Sequence, residues 1–163
     1  MDSALPKRKP LRIPDYDYSR CNVYFLTLCT KNREPLFWSV GATCGRPLEQ
    51  PPLSGLGQII VSEIEKIHTI YSSVFVEAYC VMPDHIHLLL AIQADADGRP
   101  QAAPTVSRVI QQFKGSITKQ SGQAVWQKSF YDHVIRNRED YLACWQYIEQ
   151  NPMKLQVNNH VCR

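Results

Sequence analysis

The sequence predicts an α+β domain whose elements run β-α-β-β-α-β before a last helix. Three observations carry that order. Short runs rich in β-branched and aromatic residues alternate with longer stretches of helical periodicity; the two middle runs are separated only by Pro83-Asp84; and no segment is apolar for long enough to cross a membrane. At 163 residues with a hydrophobic content of 44%, the chain suffices for one domain with a substantial core. A single domain over 1–163 is therefore expected.

Residues 1–20 form a proline-punctuated arm with Lys7, Arg8, Lys9 and Arg12, either a solvated tail or a segment that tracks phosphates. Val23 to Cys29 is a strand, ended by the polar Lys31-Asn32-Arg33. From Gly41 to Gly57, glycines and Pro47, Pro51 and Pro52 predict a long irregular connection. Gln58 to Tyr71 places Ile60, Ile64, Ile67 and Tyr71 at helical spacing. Val74 to Met82 and His85 to Gln93 form a hairpin around Pro83-Asp84.

Ala94 to Pro104 reads as a loop, and Thr105 to Gln120 as a second helix with Val106, Val109, Ile110, Phe113 and Ile117 on one face. Phe130 to Arg136 is a short strand. Asn137 with Asp140 resembles a capping box opening a helix whose apolar stripe is Leu142, Trp145 and Ile148 and which ends near Pro152, leaving 155–163 as a short tail. This is the split β-α-β arrangement, ferredoxin-like or RRM-like: an antiparallel sheet with two helices on one face, the other face free for ligand, and an added C-terminal helix.

The net charge of +3 permits a nucleic-acid partner without demanding one. No hydrophobic leader follows the charged start, so a cytoplasmic location is expected. Cys21, Cys29, Cys44, Cys80, Cys144 and Cys162 include no Cys-x-x-Cys pair, which points to reduced, mostly structural thiols.

The chemistry concentrates at His85-Ile86-His87. Side chains alternate along a strand, so His85 and His87 share one face while Ile86, Leu88 and Leu90 turn to the core. Two such imidazoles can share a divalent cation; equally, the pair can be partly buried and hydrogen-bonded for structure alone. Tyr147 and Asn151 fall outside the predicted stripe and stack one turn apart. Tyr147 is a nucleophile or a rim tyrosine. Asn151 is a carbonyl ligand or the residue that ends the helix before Pro152, two compatible roles. Imidazoles with an amide oxygen suit Mg²⁺ or Mn²⁺ better than a closed zinc site.

Val81 to Leu88, Trp126-Gln127 with Ser129 to Asn137, and Tyr147 to Pro152 resemble, in order, the motifs of the REP-associated tyrosine transposases. These belong to the single-tyrosine HUH transposases, U being a hydrophobic residue, and the resemblance runs from about Tyr24 to Lys154. It implies that His85 and His87 bind the divalent ion, that Asn151 assists, and that Tyr147, carried on the C-terminal helix, is the nucleophile. It further implies cleavage and rejoining of single-stranded DNA beside a hairpin through a 5′-phosphotyrosine, by a monomer or a homodimer. The chain departs from the longer relatives in stopping at Arg163, without their C-terminal extension.

Lys114, Arg136 and Arg138 flank the elements expected to frame the site and are candidates for DNA phosphate contacts, or plain surface charge. Three rival readings remain. A non-catalytic nucleic-acid-binding module would stack bases on aromatics, but His85 to Ile92 contains none. A His-x-His metal hydrolase would need further ligands, and His68, His133 and His160 form no clear cluster with the pair. A rolling-circle replication initiator would share the chemistry, usually within a larger chain.

Overall fold

The computed structural model describes residues 22–39, 53–93 and 104–161, with side chains described as far as 151. The basic arm, the loop around Pro47, Pro51 and Pro52, and most of the loop expected from Ala94 lie outside the described residues. The element order is β1 (Asn22–Cys29), a 3-10 turn (Lys31–Arg33), α1 (Gly55–Ile70), β2 (Val74–Val81), β3 (His85–Ile92), α2 (Val106–Ser121), β4 (Tyr131–Val134) and α3 (Arg138–Val161). The four strands form one sheet in the order β2-β3-β1-β4, and every neighbouring pair is antiparallel. This is the predicted α+β split β-α-β architecture.

The core follows from strand alternation. Tyr24, Leu26 and Leu28 of β1 and Ile86, Leu88 and Leu90 of β3 share the sheet face on which Ile60, Ile64 and Ile67 of α1 and Val109, Ile110, Phe113 and Ile117 of α2 are buried. Ser54 caps α1, accepting from the Gly57 N–H at 3.1 Å and donating to Leu36 O at 2.7 Å. Gly57 is required by packing: a Cβ there would lie 2.3 Å from Phe37 O. Thr105 caps α2, and Gly122 closes it in the left-handed conformation (φ 68°), its N–H bonded to Thr118 O.

Four expectations are corrected. The first helix opens at Gly55, not Gln58, because Ser54 supplies the cap inside the glycine-rich stretch. The second sheet face is not free: α3 lies on it. The apolar contacts of α3 are Tyr141, Cys144, Trp145 and Ile148, which meet Cys80, Met82 and Leu89 of the hairpin and Ile135, whereas Leu142 is 45% exposed. The stripe is thus rotated from the one read in the sequence. Finally, α3 continues through Pro152 to Val161 instead of ending there.

The expected capping at Asn137 is present in part. Asn137 Oδ1 accepts from the Asp140 N–H at 2.8 Å, but Asp140 Oδ2 accepts from the N–H of Arg136, one residue short of a reciprocal box. Cys29, Cys80 and Cys144 are free thiols, and burial pushes Cys80 up to about 12. Among the described residues no helix is long and apolar enough to cross a membrane.

Candidate active site

Strand β3 is held on both sides, by β2 and by β1, so residues at its start are fixed by two ladders. His85 lies opposite Cys29, and His87 lies between Thr27 of β1 and Cys80 of β2. With Ile86 and Leu88 committed to the helical core, alternation leaves both imidazoles on the α3 face.

The outer ring nitrogens are tied down. His85 Nδ1 is 2.6 Å from Asp84 Oδ1, and because a carboxylate only accepts, Nδ1 carries a proton, which in the neutral imidazole leaves the Nε2 lone pair free. His87 Nδ1 is 2.8 Å from Thr27 Oγ1. A hydroxyl can donate or accept, so Thr27 supports either tautomer of His87. With no cation, His87 Nε2–H donates to His85 Nε2. With Nδ1–H donating to Thr27, both Nε2 lone pairs face the same point.

The two Nε2 atoms are 3.1 Å apart. Adjacent ligands on an octahedral ion at about 2.1 Å are separated by about 3.0 Å, whereas tetrahedral zinc ligands at a similar distance are separated by about 3.4 Å. Nitrogens this close can serve as neighbouring ligands of one divalent cation with little movement. His87 is also in the ligating form: burial first, and then its neighbours His85 and Arg33, bring its pKa down to about 4, so it is neutral at physiological pH.

Aromatic rings close around His87, which is only 5% exposed. Phe25 stacks on it at 5.1 Å between centroids, and Tyr147 meets it edge-on at 5.2 Å and Phe25 at 5.8 Å. Tyr147 is nevertheless 48% exposed. Its ring is oriented by the histidine face while much of it is open to a ligand. Asn151 is one turn further along the same side of α3, half-buried, with Nδ2 enclosed and without a hydrogen-bond partner. Exchange of its amide N and O would offer an oxygen instead, as a cation ligand requires.

Arg33 completes the surroundings. It lies in the left-handed region (φ 59°) after Asn32 (φ 57°), an arrangement that costs an arginine about 1 kcal/mol or more. That turn brings its guanidinium to 3.4 Å from Asp84 Oδ2, with Nη1 donating to Cys29 Sγ at 3.1 Å. Sequence reasoning treated Arg33 and Asp84 as loop and turn and gave Thr27 no role. Asp84 directly before the first histidine was the available signal; Thr27 becomes visible only through strand register.

Of the three cation candidates, Lys114 stands near Cys29, the residue opposite His85, while Arg136 and Arg138 lie elsewhere. Lys114 donates to Gln127 O and Ser129 O at 2.9 and 2.7 Å and sits 5.8 Å from the Trp126 ring centroid, fastening α2 to the chain before β4. Arg136 and Arg138 are exposed and line a shallow groove of about 710 Å³ with Ile92 and Gln93, at the far end of β3 from His85. The structure brings His85, His87 and Tyr147 together and places Arg136 and Arg138 apart from them.

No family model matches the chain. An uncharacterized protein of Haemophilus influenzae is 26% identical over an alignment of 171 residues, covering 93% of this chain and 92% of that one. Two relatives carry the name REP-associated tyrosine transposase. For one from Haemophilus influenzae the name is provisional; it is 31% identical over 85 residues, 47% of this chain and 48% of its own length. The other, from Escherichia coli, is 30% identical over 80 residues, 48% of this chain and 44% of its own length. The match thus spans about half the length of each named relative. The solved structure of a REP-associated tyrosine transposase bound to a REP hairpin has the same fold, with a TM-score of 0.59 and 23% identity, covering 87% of this chain and 74% of that one.

The α+β fold with a helix across its sheet is shared with that transposase structure, and about half of the chain is similar in sequence to two proteins named as transposases. The name those two relatives carry, and the name of the protein in the solved structure, is REP-associated tyrosine transposase.

Proposed function

We propose that the chain is a divalent-metal-dependent enzyme of the HUH type that cleaves and rejoins single-stranded DNA beside a hairpin through Tyr147. The observation that carries this reading is the meeting of three side chains: two imidazole nitrogens 3.1 Å apart and the Tyr147 ring 5.2 Å from one of those imidazoles. His85 and His87, with Asn151, would hold Mg²⁺ or Mn²⁺, which would neutralise charge on the scissile phosphate. That one structural relative binds a REP hairpin favours a hairpin as the flanking element here too.

In this mechanism Tyr147 Oη attacks the phosphorus in line. The bond from phosphorus to the 3′-oxygen breaks, the phenolic proton is lost, and the departing 3′-oxygen is protonated, giving a 5′-phosphotyrosine and a free 3′-hydroxyl. Attack by a 3′-hydroxyl on that ester reverses the step and releases the tyrosine, so no nucleotide is consumed. Phe25 and His87 hold the ring against rotation, which favours attack from one direction. Asp84 fixes the His85 tautomer, and Arg33 sits where it can offer a guanidinium to a phosphate oxygen.

The test is incubation with hairpin-bearing single-stranded oligonucleotides, with and without Mn²⁺, followed by denaturing electrophoresis. Metal-dependent adducts absent from Tyr147→Phe are expected. Adducts persisting in that variant would sink the assignment. Clear binding with no adduct from the wild type would favour the catalytically silent binding module.

A further inference from the structure

We propose a second metal site, for a thiophilic divalent cation of the Zn²⁺ class, built from His133 of β4 and Asp140 and Cys144 of α3. One ligand atom from each residue lies within 4.8 Å of the other two. His133 Nε2 is already 2.8 and 2.9 Å from the two Asp140 oxygens. Tetrahedral zinc with nitrogen, oxygen and sulfur ligands separates them by about 3.3 to 3.7 Å. The His133–Asp140 pair would open by about half an ångström and the Cys144 thiol would close in, leaving a fourth position for water. The thiolate is what separates this site from the first, since sulfur selects zinc over the hard ions that an imidazole and amide set accepts.

The surroundings favour a site over a chance meeting. Asp140 and Cys144 are four residues apart on one helical face, so their side chains project together. The Arg136 N–H holds Asp140 Oδ2 at 3.2 Å, and Asn137 caps the same residue, so the carboxylate is fixed before a cation arrives. His133 pairs with Phe25, two strands from β3, about 10 Å across the sheet from the strand that carries the histidine pair. The site is thus distinct from that pair and does not depend on the function proposed for it.

A cation here would clamp the edge strand β4 to α3 one turn before Tyr147. Among the described residues, this helix is otherwise tied to the rest of the protein by the packing of Ile148 and its neighbours, by the Tyr147 ring against His87 and Phe25, and by the bonds around Asp140. The cation would therefore set how firmly the tyrosine helix is docked.

The experiment is Co²⁺ titration of the metal-free full chain, following the near-ultraviolet thiolate-to-cobalt charge-transfer absorption. The expected band saturates, survives in the His85→Ala/His87→Ala double variant, and is lost in Cys144→Ser. No band, or one that survives Cys144→Ser and so arises from another cysteine such as Cys80 beside His87, overturns the proposal. A second measurement does not need the cysteine variant to fold: Zn²⁺ should shield wild-type Cys144 from alkylation, read by mass spectrometry. His133→Gln should raise the Zn²⁺ concentration required by at least about tenfold. Absence of protection, or protection unaltered in His133→Gln, refutes the site.

Discussion

Thr27→Val removes one hydroxyl and leaves the shape of the residue intact. Both residues are β-branched, so the backbone of β1 has no reason to shift and the change isolates the bond to His87 Nδ1 at 2.8 Å. His87 is nearly buried between Phe25 and Tyr147, so no water replaces the lost partner. An unsatisfied buried polar group costs about 1–3 kcal/mol, which in a chain of this size lowers Tm by about 2–4 °C per kcal/mol. Cation affinity should fall as well, because nothing then holds the His87 Nδ1–H tautomer that frees Nε2; loss of such a supporting bond costs about 10–100-fold. Thermal denaturation of the metal-free protein and Mn²⁺ titration by calorimetry measure the two effects separately. A variant with a lowered Tm but Mn²⁺ affinity within about twofold of wild type would refute the tautomer argument and leave Thr27 a purely structural partner.

Further outcomes follow from the same geometry. Asp84→Asn should weaken Mn²⁺ binding by a similar order, about tenfold, since its amide no longer favours the free Nε2 of His85, and calorimetry reads it directly. Ile148→Ala should cost about 2–5 kcal/mol in denaturant melts and loosen α3, visible as faster amide exchange in that helix ahead of global unfolding. Gly57→Ala should destabilise the fold by about 1–3 kcal/mol or more, because its Cβ meets the Phe37 carbonyl. Burial brings Lys114 down to about 8, below its ordinary value, so the unfolded chain binds more protons between those two pKa values. Stability should therefore rise as pH increases through that window, a slope that Lys114→Met removes; a falling contribution would show that the two carbonyl bonds favour the charged amine more than burial opposes it.

The fold was readable because its signals were redundant. In β1 and β3, alternation, β-branched composition and the Pro83-Asp84 turn all agree, and the buried Ile86, Leu88 and Leu90 place the histidines on the other face by arithmetic of period two. The C-terminal helix gave less. Leu142 was chosen for its apolarity, yet the α3 residues that meet the sheet are Ile148, Trp145, Tyr141 and Cys144, so hydropathy pointed to the wrong rotation. Pro152 was read as a stop although a proline need not end a helix, and the chain carries α3 on to Val161. Supporting residues escaped for a different reason. Thr27 acts on His87 across sixty residues, and only the β1–β3 register, absent from any local pattern, makes them neighbours.

The position of β3 has a consequence for how such a protein can diverge. Its residues from Ile86 to Ile92 are buried on both faces and laddered on both sides, so almost any change there is felt by the whole sheet. The exposed segment around Arg136 carries no such constraint. The rim can therefore change with little effect on the sheet, whereas His87, set inside this strand, is fixed almost as a piece of the scaffold.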